Sequence, residues 1–212
     1  MRSGFAAFIV LIGLLAVQET ASAHPHVFVD AGVELDVNED GQLRALKYDW
    51  TFDDLYSAFA LQGLPKVNGA PTEAALVKVA EAIIEKLDNV DYFTKAAAEG
   101  HELQAIGAQQ PRASFIDGRL HLTFTIAMRA IGGAADRVNV QIFDPQYIVA
   151  VSIKDGVRLR GPSRCTHKLL RAGPLDPSDA RQLDDSLRTN QLAANFGAKL
   201  ATTIAFDCRA AK

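Results

Sequence analysis

The chain has 212 residues, with 22 Lys or Arg against 25 Asp or Glu and a formal charge of −3. Such mild acidity leaves no electrostatic footprint for nucleic acid, and no basic run suits a lipid surface. An apolar content of 49% is ordinary for a folded domain, and no segment is repetitive or of low complexity.

The first element is a leader. Arg2 supplies a positive start, Phe5 to Val17 is an unbroken apolar stretch, and Ala21-Ser22-Ala23 fits the small-residue rule for signal cleavage. The stretch falls short of the ~20 residues of a membrane span, and no cysteine follows it as in a lipoprotein. Residues 1–23 therefore read as a signal peptide and 24–212 as one exported domain with no span of its own. The mature chain would open on His24-Pro25-His26. Its α-amine and two imidazoles are three nitrogen donors suited to a transition metal.

A strand follows at once. Val27, Val29, Ala31, Val33, Leu35 and Val37 fall on one face, and His26, Phe28, Asp30, Gly32, Glu34 and Asp36 on the other. Asp40-Gly41 reads as a hairpin turn into a second strand carrying Leu46, Tyr48, Trp50 and Phe52. Residues 53–62 predict a short helix, and Pro71 predicts the first turn of a longer one with Leu76, Val79, Ala80, Ile83 and Leu87 on one stripe. Asp117-Gly118 precedes Leu120, Leu122, Phe124, Ile126 and Met128, a strand face. Val138 to Ile142 and Tyr147 to Ile153 predict two more strands, and Asp155-Gly156 reads as another hairpin turn. Asp176 caps a helix to about Arg188, and Thr202 to Phe206 predict a closing strand. Gly63–Ala70 and Gly161–Pro174 read as loops. The pattern predicts an α+β fold: an antiparallel β-sheet with hairpins, packed with about three helices.

Cys165 and Cys208 are the chain's two cysteines. In an oxidising compartment the simplest reading is one disulfide, worth roughly 4 kcal/mol in the chain-entropy model. The rival is a thiolate metal site using Cys165-Thr166-His167, which lacks a second closely spaced pair.

Chemistry concentrates at the start. His24 and His26 share a strand face about 7 Å apart at Cα, so both imidazoles can converge on one ion. The amine and Nδ1 of His24 can chelate together, as in a copper histidine brace. Pro25 has no amide proton to lose, which blocks the square-planar amino-terminal mode and sends the ion elsewhere for further ligands. Asp53 is the acidic candidate, although a carboxylate there also caps the following helix. Asp30 shares the His26 face, Asp144 before Pro145 reads as turn chemistry, and His101, His121 and His167 read as solvated. No nucleophile elbow, phosphate loop or His-Glu-x-x-His is present, so the chain does not read as an enzyme.

His24-Pro25-His26-Val27, Trp50-Thr51-Phe52-Asp53, Tyr56-Ser57-Ala58-Phe59, Asp91-Tyr92-Phe93-Thr94, Phe143-Asp144-Pro145-Gln146-Tyr147 and the late Cys208 together resemble the bacterial domain-of-unknown-function 1007 family. Its members carry the label of an uncharacterised ABC-type transport system, periplasmic component, and their genes often stand beside nickel or cobalt permeases. The resemblance implies a periplasmic accessory protein that handles nickel, cobalt or zinc for an inner-membrane permease or ABC-type transporter. Two other readings remain: a histidine-brace copper protein or enzyme, and a metal-free docking module using exposed sheet or the Trp50–Leu61 segment.

Exported protein is expected to begin at His24. Intact-mass measurement checks this, and a start at Ser22 or further downstream would take the amine out of the proposed site.

Overall fold

The computed structural model describes residues 25–98, 101–130, 136–154, 156–189, 193 and 195–209. His24 lies outside them, as do the leader and Asp155. The first strand, β1 (Val27–Val37), and the second, β2 (Leu43–Phe52), form the hairpin expected of their alternation. The turn between them is a three-residue loop: Gly41 N–H bonds the Asn38 carbonyl, and Gly41 takes φ +87°, open to glycine at no steric cost.

Helix α1 (Asp54–Ala60) follows, then a small ribbon of β3 (Lys66–Val67) and β4 (Ala70–Pro71). Pro71 therefore closes that ribbon. Thr72 instead caps α2 (Glu73–Asp88), its hydroxyl accepting from Ala75 N–H at 3.3 Å. Val79, Ala80 and Leu87 of the expected stripe are buried, and α2 packs on the long strand β6. A turn at Asp91–Phe93 leads into β5 (Thr94–Ala98), β6 (His101–Ile116) and β7 (Arg119–Ala130). Then come β8 (Arg137–Ile142), β9 (Val149–Ser152), β10 (Val157–Arg160) and β11 (Thr166–Leu170). Helix α3 (Pro177–Thr189) starts at Asp176 as expected, with Ser178 and Asp179 amides on its carboxylate. Helix α4 (Phe196–Leu200) and β12 (Thr203–Asp207) complete the order.

The α+β expectation is overturned. Among the described residues 48% are in strands and 24% in helices, and one ten-stranded sheet runs β10-β1-β2-β7-β6-β5-β8-β12-β11 with β9 also on β1. The sheet is not purely antiparallel either. β9 and β10 both pair parallel to β1, against its first and last thirds. β9 and β10 are thus two pieces on one edge of β1 and do not pair with each other as the hairpin that the sequence suggested, although Asp155 of that turn lies outside the described residues. The segments taken as loops at 63–70 and 161–174 contain β3 and β11, and His101 opens a strand.

The sheet curls around its apolar face. Inside lie Val29, Val33, Leu35, Leu46, Leu122 and Ile204, all nearly inaccessible. Trp50 meets Phe124 edge-on at 5.2 Å between ring centroids, and Tyr48 lies 5.0 Å from the same ring. The Tyr48 hydroxyl crosses the concavity to Thr94 at 2.8 Å, tying β2 to β5, and the Thr94 hydroxyl donates to the Tyr92 carbonyl at 3.0 Å. Among the described residues, Trp50 Nε1 is the buried side-chain nitrogen or oxygen without a hydrogen-bond partner, a cost that its ring contacts offset.

At the far end of β1 the curl is sealed. Cys165 and Cys208 form a disulfide. Arg164 Nη2 donates to the Glu39 carbonyl at 2.7 Å and Nε to the Cys208 carbonyl at 3.2 Å. The β1–β2 turn presses on this knot so closely that a Cβ on Gly41 would stand 2.9 Å from Cys208 Cβ. Among the described residues no helix is long and apolar enough to cross a membrane.

Cys208→Ser is expected to lower stability by about 2–5 kcal/mol, read as a fall in melting temperature. Non-reducing mass analysis of the native protein should find no free thiol.

Candidate functional site at the head of the first strand

The start of β1 is held from both sides. On one side, the Ile148 carbonyl accepts from His26 N–H at 2.8 Å and Val27 N–H at 3.2 Å, just before β9 pairs with β1. On the other, β2 ends at Phe52 opposite Val29, and the next residue, Asp53, takes over. Its backbone N–H donates to the Phe28 carbonyl at 2.9 Å, while Oδ2 accepts from Phe28 N–H at 2.7 Å. Oδ1 meanwhile caps α1 by accepting from Tyr56 N–H at 2.8 Å. The capping that a carboxylate at this junction also suggested is found, but the strap onto β1 was not legible from the sequence.

These bonds decide what Asp53 can do for an ion. Asp53 bonds Phe28, two residues after His26, and His26 itself lies just before β1 begins at Val27. Both Asp53 oxygens already serve a backbone donor, so an ion could use only their remaining lone pairs. Asp30 is placed less well. It lies four residues from His26, about 13 Å along the strand, and it pairs with Lys154 at 2.8 Å and Arg119 at 3.8 Å.

Among the described residues, the other three histidines lie elsewhere on the sheet. His121 stands two strands away at the level of Asp30, its Nδ1 3.0 Å from Thr51 Oγ1. His101 opens β6, and His167 lies on β11 opposite Phe206, toward the disulfide end. Among the described residues no group of three His, Cys, Asp or Glu side chains could hold a metal ion. With Cys165 in the disulfide, the Cys165-Thr166-His167 thiolate site is overturned.

Other residues at this end are structural. Ser57 is fully buried, and its hydroxyl accepts from Leu120 N–H at 2.9 Å, satisfying β7 where β2 has ended. Arg119 Nε donates to the Phe52 carbonyl at 2.7 Å and lies 3.5 Å from Asp54. Phe52 and Tyr56 stack at 4.7 Å, and burial raises the Tyr56 phenol pKa. Beside them Leu55, Phe59 and Phe28 are exposed at 75, 73 and 53%. This is an apolar rim, one ridge of it at helical i, i+4 spacing.

Two further segments join from behind. Asp91, Tyr92 and Phe93 all have φ near +50°, a left-handed turn rarely seen outside glycine. It is held by Tyr92, whose hydroxyl donates to Asp88 and accepts from Ala108 N–H at 3.0 Å. The Phe93 carbonyl accepts from Phe143 N–H at 2.8 Å, which hands over to the loop of Asp144. Asp144 is buried, and its carboxylate takes the amides of Gln146, Ile148 and Val149. The turn role read for Asp144 holds, but its reach to β1 through Ile148 had no local sequence signal.

The fold and this end of it define a β-rich, disulfide-closed protein whose first strand is pinned at its head by carboxylate-organised loops. The family model described as "Protein of unknown function (DUF1007)" matches residues 8–208, and the chain belongs to that family. No curated protein and no solved structure matches it.

Burial first, and then the bond to Asp88, push the Tyr92 phenol up to about 12. A phenol raised above its unfolded value of about 10 adds stability that is complete below that pH and is lost as pH climbs through the folded value. Tyr92→Phe is therefore expected to flatten the fall in stability between about pH 10 and 12. At neutral pH it should cost about 1–3 kcal/mol by leaving the Ala108 amide unmatched. Urea unfolding across pH checks both.

Proposed function

We propose that this is an exported accessory protein that handles a divalent transition metal, nickel, cobalt or zinc, for a membrane transporter. The ion is cargo, taken at the mature start by His24 and His26 with Asp53 alongside. The observation that carries the reading is the state of His26: an exposed side chain on a backbone fixed by the Ile148 carbonyl. A ligand held this way loses little freedom when an ion arrives. The donors fit borderline metals, since imidazole suits nickel, cobalt, zinc and copper alike. The disulfide suits an oxidising compartment outside the cytoplasm, in keeping with export.

The copper-brace alternative is weakened because none of the other described histidines stands near His26. The docking alternative gains a specific observation in the exposed Leu55–Phe59 ridge beside Phe28. The two readings are compatible, because a transporter gripping that rim would face the ion.

Calorimetry on processed, tag-free protein with nickel, cobalt, zinc and copper tests the reading. His26→Ala is expected to weaken binding by about tenfold or more, at least ~1.4 kcal/mol. Equal affinities for the two proteins would refute the metal site and leave docking as the function.

A further inference from the structure

Resting on the metal-handling reading, we propose that Asp144 is the positioning residue of the site and fixes how His26 meets the ion. The Asp144 carboxylate bonds backbone amides. It acts through the backbone of its own loop. Oδ1 accepts from Gln146 N–H at 2.9 Å, and Oδ2 accepts from Ile148 N–H at 2.8 Å and Val149 N–H at 3.0 Å. Bonds to a charged acceptor are about twice as strong as neutral ones. Three of them gather the loop, with Tyr147 accommodated at φ +55°. The outcome is a single carbonyl, that of Ile148, aimed at the amides of both His26 and Val27.

The loop is also boxed from behind. Gly197 of α4 lies so near that a Cβ there would stand 2.0 Å from the Asp144 carbonyl oxygen. Asp144 is only 6% exposed, so its carboxylate is fixed by its surroundings as well as by its bonds. The aim of the Ile148 carbonyl is thereby set from two directions.

Two consequences follow for the ion. A pinned backbone presents the His26 imidazole from one place, which reduces the ordering that binding requires. The same bond commits the His26 amide as a donor, and Pro25 has no amide proton. Neither backbone nitrogen is then offered to a metal, so the ion takes imidazole and amine donors. Such a donor set favours tetrahedral or octahedral ions such as cobalt and zinc over square-planar copper or nickel held by backbone nitrogen.

The test compares wild type, Asp144→Asn, Asp144→Glu and His26→Ala as processed, tag-free full chains. Cobalt affinity is read by calorimetry, the visible spectra of bound cobalt and copper report the donor set, and melting temperature is recorded beside them. The double variant Cys165→Ser/Cys208→Ser, which leaves no free thiol, serves as a control destabilised at the opposite end of β1. Asp144→Asn keeps the shape but loses one charged acceptor. It is expected to lower cobalt affinity about tenfold, the usual effect of removing an outer-shell partner. It should also shift the copper spectrum toward backbone-nitrogen coordination. Asp144→Glu retains the charge, displaced by one methylene, and should show the same changes in smaller measure, which covers a failure of the Asn variant to fold. The double serine variant should leave affinity and spectra unchanged. If the Asp144 variants keep wild-type affinity and spectra while His26→Ala loses binding, the positioning role is overturned and the metal site stands. If His26→Ala also binds as wild type, the metal reading itself has failed. A fall in melting temperature without spectral change also overturns the proposal, since a merely structural residue would give that result.

Discussion

Strand β1 is paired on both edges, with β2 running antiparallel on one side and β9 and β10 parallel on the other. Most of the structure depends on that double pairing. It puts the inward face, Val29 to Val37, at the floor of the curl, and it leaves the two ends of one strand doing different things. The tail carries the hairpin turn that meets Arg164 and the disulfide. The head carries His26, with Asp53 and Ile148 on either side. Curling is then a matter of filling the concavity. Trp50, Tyr48 and Phe124 supply the volume, and the Tyr48 hydroxyl finds Thr94 across it. Burial there raises the Tyr48 phenol pKa far beyond its ordinary range, with the Thr94 bond working in the other direction.

What the sequence made legible was whatever kept a strict local period. β7 alternates without a slip, β1 and β2 do so up to the bulge at Asp36 and Val37, and helices α1 and α3 begin at acidic caps. The sixteen residues of β6 were missed for a definite reason. Its inward residues are Leu103 and Ala105, then Ala108, then Ala113 and Phe115. Register shifts after Ala105 and Gln109 reverse the phase twice. Gly107 and Gln110 sit at positive φ within those bulges, so no window of the segment shows a sustained period of two. Edge strand β11 was missed because it buries little. The parallel placement of β9 and β10 was out of reach, since an alternating run says nothing about which distant strand it joins.

The site divides in the same way. His26 and Asp53 could be named from residue type and position. The bonds that give them their setting run from residue 148 to 26 and from 53 to 28, between segments far apart in the chain. The acids around His26 prove to be largely spent. Asp53 holds two amides, Asp144 holds three, and Asp30 faces Lys154 and Arg119. The proposed cargo ion would thus lean on nitrogen donors within a framework made by carboxylates. This arrangement separates rigidity from charge, and it would suit an ion that has to leave again.

The pairing of Val27 with Val149 has a consequence in time as well as in space. A chain that enters a compartment N-terminus first delivers β1 at once, yet one edge of β1 stays bare until more than half of the remaining sequence has followed. Contacts of such long separation form slowly, and an unpaired edge is open to pairing with other chains meanwhile. The segment that emerges earliest is therefore among the last to be finished. His26 acquires its fixed setting only when residues 144–149 arrive, so an immature chain would present the histidine without the grip.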